Sequence, residues 1–192
     1  MASPSLGGFL LVCYRLRCML SEGETAPDFE LVGVPDRLAA RLNADADGWN
    51  PESELRRFRL SDSTEAGNAV LLSFYMFDFA PVCAEQTCRM RDAEFFQLTD
   101  DLDVYGISTD GPYSHAAFAE QRDLNYPLLS DTDGSVAEQY DILHDEFQGM
   151  RRVTERALFV VDPDRTVRYA WSDPTGTTDP DLEPAQQVVR SL

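Results

Sequence analysis

Ala69-Val70-Leu71-Leu72-Ser73-Phe74-Tyr75 is a nearly continuous apolar run, and Cys83 follows it after the seven residues Met76 to Val82. An apolar run of this length without polar alternation is typical of a strand covered on both faces. The spacing predicts a helix after it, from about Val82 to Leu98. Cys88, Phe95, Leu98 and Leu102 then fall on one face. Pro81 suits the start of such a helix, because it has no N–H to leave unpaired. Cys83 is thereby placed at the entrance of a helix that leaves a central buried strand.

Outward from this unit the chain alternates short strands and helices. Phe29–Leu31 and Phe58–Leu60 read as strands, as do Asp103–Ser108 and Leu128-Leu129. Ser114 is expected to cap a helix through Arg122, and Ser135 one to about Tyr140. Ala157–Val161 is a second apolar strand. Asp162-Pro163-Asp164-Arg165 is turn chemistry, and Val167–Trp171 returns from it as a hairpin. Pro184–Leu192 is expected to close the chain as a short helix. The pattern defines an α/β domain with a central mixed sheet flanked by helices.

The chain has 192 residues, 34 acidic against 16 basic, and a net charge of −18. All the basic residues are Arg. So acidic a surface repels a phosphate backbone, so nucleic acid is not an expected partner. Acidic excess without Lys fits adaptation to high salt, where self-repulsion is screened. A GC-rich genome and an ordinary acidic protein fit as well.

No apolar run reaches the 18 residues of an ordinary membrane-spanning helix. Residues 1–22 read as an N-terminal extension, disordered or the product of a misassigned start, with the domain at 23–192. Gly7–Tyr14 is apolar, but Arg15 and Arg17 follow it, the reverse of a secretory signal. A short membrane-associating segment is the alternative, though no stable membrane association is expected. A cytoplasmic location is expected. Residues 34–57 read as an acidic insertion loop around Pro35, Gly48 and Pro51.

Cys13, Cys18, Cys83 and Cys88 form no CxxC pair and, with His115 and His144, no zinc-ligand spacing. No metal or cofactor is expected. Cys13 and Cys18 lie in the N-terminal extension and are assigned no chemistry. Cys83 is different. A free thiol is only about 3% thiolate at pH 7. Helix N-terminal amides and a nearby cation increase that fraction. By residue type alone, Cys83 is equally well an inert buried hydrophobe.

The segment Phe74-Tyr75-Met76-Phe77-Asp78-Phe79-Ala80-Pro81-Val82-Cys83 resembles the peroxidatic segment of the peroxiredoxins. More narrowly, it resembles the alkyl hydroperoxide reductase/thiol-specific antioxidant family in its bacterioferritin-comigratory branch. Four further matches fall in order. They are Gly23–Phe29, Gly106–Asp110 with Ser114-His115 and Phe118-Ala119, Pro127–Asp131, and Arg156–Pro163. The resemblance covers about 23–172 and implies a thioredoxin-like fold and a thiol peroxidase. It implies a peroxide substrate, a thioredoxin-like thiol donor and a homodimer.

The resemblance also implies roles. Cys83 is the peroxidatic cysteine, which becomes a sulfenic acid. Arg156 is the cation that stabilises thiolate and peroxide; by itself it reads as a strand-edge Arg in a salt bridge. Cys88 stands where that branch has its resolving cysteine, and alternatively is a packed core thiol. Five residues of α-helix separate Cα atoms by roughly 8–9 Å, and a disulfide rarely spans more than about 7 Å. The first turns must therefore unwind before Cys83 and Cys88 can join.

The chain departs from the family pattern in three places. Met76 stands for Pro, Ala80 for Thr or Ser, and Gln86 for a common Glu. A hydrogen bond to a charged group is worth about 1.5–3 kcal/mol, so the missing hydroxyl lowers the rate roughly ten- to 150-fold if it acts in the transition state. A slow or specialised peroxidase is expected. The alternative is a thioredoxin-fold redox sensor or binding protein with Cys83 and Cys88 as its switch. His115 and His144 read as structural or surface residues.

Overall fold

The computed structural model describes residues 19–36 and 55–192. Cys13, Cys18 and most of the expected insertion lie outside them, as does the extension up to residue 18.

Among the described residues seven strands form one mixed sheet in the order β2-β1-β5-β4-β3-β8-β9. They are β1 (Glu30–Val34), β2 (Arg56–Arg59), β3 (Ala69–Phe74), β4 (Leu102–Ser108), β5 (Leu128–Ser130), β8 (Arg156–Val161) and β9 (Val167–Asp173). A separate hairpin pairs β6 (Leu143–Phe147) with β7 (Met150–Thr154). The helices are α1 (Leu60–Glu65), α2 (Pro81–Asp92), α3 (Glu94–Gln97), α4 (Pro112–Arg122), α5 (Ser135–Gln139) and α6 (Glu183–Val189).

β3 lies parallel to β4 and antiparallel to β8, and every one of its residues is buried. The apolar run of the sequence is thus a central strand with both faces covered. Its alternation sorts the core into two layers. Leu71 joins Leu158, Val160, Met90, Phe118 and Val189 on one face. Val70 and Leu72 join Leu60, Tyr140, Phe159 and Val161 on the other. At the β1–β5 crossing only glycine fits position 33, since a Cβ there would lie 2.6 Å from the Leu128 carbonyl.

Several boundaries differ from the sequence reading. The helix after β3 ends at Asp92, and a short α3 follows. Leu98 is therefore 78% exposed and Leu102 opens β4, so the four-residue face does not form. Leu60 begins α1 rather than ending a strand. Gly111 is the N-cap of α4, and Ser114 lies inside its first turn. Gly134, with φ 67°, precedes α5. There the Asp131 carboxylate accepts the Val136 and Ala137 N–H groups. It satisfies the donors expected to be met by Ser135. The β6–β7 hairpin and α1 carry no strong periodic signal.

Candidate active site

Cys83 is the third residue of α2, and Ala80 is its N-cap. The first intrahelical bond runs from the Ala84 N–H to the Ala80 carbonyl, 2.8 Å. The N–H groups of Val82 and Cys83 precede it and have no acceptor within the helix. Pro81 contributes none. Ala80 offers no side-chain cap, so these two donors face the Cys83 end of the helix uncovered by any hydroxyl. The Cys83 side chain is fully buried, Cys88 is half-buried, and both are free thiols. α2 is continuous from Pro81 to Asp92, so the cysteines are one and a half helical turns apart.

Arg156 opens β8 and is, among the described residues, the largest fully buried side chain. Its Nε donates to Gln86 Oε1 at 2.7 Å. Gln86 lies three residues beyond Cys83, one turn along α2, and is itself buried. Its Nε2 donates to Ser73 Oγ and to the Phe74 carbonyl, both 3.1 Å. Gln86 thus ties the Cys83 helix to β3 and to Arg156 at once. The remaining guanidinium nitrogens turn to the loop after β9. Nη1 donates to the Thr178 carbonyl at 3.0 Å, and Nη2 pairs with Asp179 at 2.7 Å.

That loop is ordered by Asp173, whose carboxylate accepts the N–H groups of Thr175, Thr177 and Thr178. Burial alone would raise the Asp173 carboxyl, but the Thr175 hydroxyl and these three amides outweigh it and bring it down to about 2. Met76 is buried beneath the same loop, where a Cβ on Gly176 would lie 2.8 Å from the Met76 Cε. The thioether therefore fills the space below the loop.

The segment between β3 and α2 is pinned by a second network. His115 Nδ1 lies 3.0 Å from Asp78 Oδ2, and its Nε2 3.1 Å from the Leu129 carbonyl. The Tyr75 hydroxyl donates to Asp78 Oδ1 at 2.9 Å. The Asp78 N–H donates to Asp110 at 2.7 Å. Burial pushes the Asp110 carboxyl up, partly offset by that amide. Phe79 follows with φ 61°, a left-handed conformation that is unusual for an aromatic residue. The residue is 44% exposed, and its ring packs edge-on against Phe118, 5.1 Å between centroids.

The structure bonds Arg156 to Gln86, one helix turn beyond Cys83, and places Cys88 further along the same helix. His115 is structural; His144 is half-buried and bonded to the Pro174 carbonyl. Sequence reasoning missed Asp78, Asp173 and Asp179. For Asp173 a signal existed, since an Asp followed by Thr175 and Thr177 favours local side-chain-to-backbone bonds. Asp78 and Asp179 have partners 37 and 23 residues away, which no local pattern reveals. Among the described residues no group of His, Cys, Asp and Glu is arranged to hold a metal ion.

A buried cysteine at a helix entrance beside a central strand of a thioredoxin-like sheet, with a buried arginine bonded one turn further along that helix, defines a thiol-peroxidase scaffold. The AhpC/TSA family profile matches residues 23–170, and the chain belongs to that family. It is 32% identical to peroxiredoxin Bcp of Escherichia coli K12 over 160 residues, covering 80% of this chain and 86% of that one. The crystal structure of peroxidoxin BcpB from Mycobacterium tuberculosis superposes with a TM-score of 0.67 at 31% identity, covering 89% of this chain and 97% of that one. Mycobacterium bovis AhpC shares the fold, with a TM-score of 0.73 at 19% identity over 91% of this chain and 98% of its own. The chain is a Bcp-like peroxiredoxin and so a thiol-dependent peroxidase, and its family implies a peroxide substrate and a thioredoxin-like reductant. Among the described residues no helix is long and apolar enough to cross a membrane.

Proposed function

We propose that the chain reduces hydrogen peroxide or organic hydroperoxides through a sulfenic acid on Cys83. The Cys83 thiolate attacks the distal peroxide oxygen and the O–O bond breaks. The cysteine becomes a sulfenic acid, and the peroxide leaves as water or alcohol after taking up a proton. The Cys88 thiol then attacks the sulfenic sulfur, releasing water and forming the Cys83–Cys88 disulfide. A thioredoxin-like dithiol returns both thiols to the reduced state. Arg156 and the Val82 and Cys83 amides favour the thiolate and the negative charge of the departing oxygen.

One observation carries this reading: Arg156 is tied by Gln86 to the helix turn that holds Cys83. The full burial of Cys83 and the helical separation of Cys88 add two movements. Peroxide enters when the Phe79–Val82 segment shifts, and the disulfide forms when the first turns of α2 unwind. Homodimers are the expected assembly in a cytoplasmic setting, with Phe79, Val82 and Tyr113 among the exposed apolar side chains available for contact. Salt adaptation of the acidic surface belongs to the same reading.

A second reading has its own support. Ala80 lacks the hydroxyl, Met76 replaces Pro, and Cys83 is wholly buried. These features fit a redox sensor that uses the two cysteines as a slow switch. Peroxide consumption by the full chain at high salt, with a reducing thiol, separates the two. Turnover abolished by Cys83→Ser is expected. No turnover in the parent protein, with Cys83 still reduced after exposure, would overturn the peroxidase mechanism.

A further inference from the structure

Arg156 carries its charge at a site with no solvent exposure, where an unpaired cation is costly. Two of its three partners are neutral: Gln86 Oε1 and the Thr178 carbonyl. Among the described residues, charge meets it only at Nη2, through Asp179 Oδ1 at 2.7 Å. Among the described residues Asp179 is the one carboxylate within 4 Å of this guanidinium. α2 supplies none, because position 86 is an amide. That amide cannot be exchanged freely for a carboxylate: its Nε2 donates to Ser73 and Phe74 while its Oε1 accepts from Arg156. A carboxylate could only accept. The counter-ion must therefore come from elsewhere, and it comes from the loop between β9 and α6.

The loop is built for this. Asp173 fixes the backbone through Thr178, the residue before Asp179, and Thr178 itself holds Nη1. Two consecutive loop residues thus grip two nitrogens of one guanidinium, and α2 grips the third. Asp179 is 32% exposed, and its second oxygen lies 3.8 Å from Arg89 Nη1. Arg89, on α2, faces the other oxygen of the same carboxylate from the solvent side.

We propose that Asp179 is a positioning residue of the peroxidase reaction, its carboxylate fixing the orientation of the Arg156 guanidinium at Cys83. The proposal rests on the role given to Arg156 above. It makes the electrostatics of the site depend on a surface loop and leaves them open to salt.

The test is a double-mutant cycle on steady-state peroxide kinetics, with thermal melts of each protein. Asp179→Asn keeps the shape and removes the charge. It is expected to lower kcat/KM for hydrogen peroxide about ten- to hundredfold, from the ordinary worth of a charged hydrogen bond. Asp179→Glu is expected to restore at least half of the logarithmic loss. In an Arg156→Lys background, Asp179→Asn should cost far less, because a residue that acts through another loses its effect when that other is changed. A folded Asp179→Asn protein within twofold of the parent would overturn the proposal. So would an equal loss in both backgrounds. Arg156→Lys at the parent rate would instead overturn the Arg156 assignment, and the proposal with it.

Discussion

Gln86 Oε1 receives the Arg156 Nε–H at 2.7 Å across 70 residues of chain, while the other end of the same amide holds β3 through Ser73 and Phe74. One buried side chain therefore works as donor and acceptor at once. No carboxylate can replace it in both roles.

Gln86→Glu brings a negative charge next to Arg156 and yet is expected to destabilise the fold. The Phe74 carbonyl and the Ser73 hydroxyl lose their donor in a buried site, at a cost of roughly 1–3 kcal/mol. Urea denaturation at neutral pH measures it. An unchanged or higher midpoint would show that attraction to Arg156 outweighs the lost donor.

Ala80→Thr restores a hydroxyl at the N-cap of α2. The cap alone is expected to add about 0.5–2 kcal/mol of stability. A hydroxyl that also reaches the bound peroxide raises the turnover rate roughly ten- to 150-fold. Stability gained without any rate increase would locate the weakness of the site elsewhere, with Met76 the next residue to change.

His115→Leu leaves the Asp78 carboxylate and the Leu129 carbonyl short of a buried partner. A loss of at least about 2 kcal/mol is expected. The Tyr75 hydroxyl still holds Asp78, so the segment before Cys83 loosens rather than detaches. Limited proteolysis around residues 76–80 should then accelerate. Equal cleavage in both proteins would mean that His115 does not restrain this segment.

Asp173 gives the molecule an acid limit. Its folded carboxyl is lowered to about 2 from an ordinary 3.8. A lowered value means that the folded state favours the ionised form. The stabilisation is complete above roughly pH 5 and is lost as pH falls towards 2. Asp173→Asn should be less stable at pH 7 and should converge on the parent near pH 2. Parallel stability curves across that range would contradict this assignment.

The net charge of −18 sets a salt dependence. Raising KCl from dilute buffer to molar concentration shortens the screening length from tens of ångströms to about 3 Å. The melting temperature is expected to rise. No gain, or a loss, would remove the basis for salt adaptation.

Most of the sheet was legible, because its central strands announce themselves. Ala69–Tyr75, broken only by Ser73, and Ala157–Val161 are apolar without alternation, a pattern typical of a strand covered on both faces. Helix ends were less legible. The break at Ala93 and the capping of α5 by Asp131 depend on contacts rather than on local pattern. In the site, the resemblance pointed to Cys83, Cys88 and Arg156. The partners of Arg156 were less visible: Gln86 stands out only as a departure from the family pattern, its bonds to β3 and β8 unseen, and Asp179 reads as loop composition until Arg156 reaches it.

β2 ends the sheet and presents Arg56, Arg57 and Arg59 within four residues. Glu30 on β1 pairs with two of them. Among the described residues, the strand at this margin carries three arginines. Two copies meeting edge to edge there would set arginine against arginine, a guard against runaway sheet extension. At molar salt that repulsion has little reach. What then limits stacking is the shortness of the strand itself, which offers a neighbour too few backbone pairs to hold.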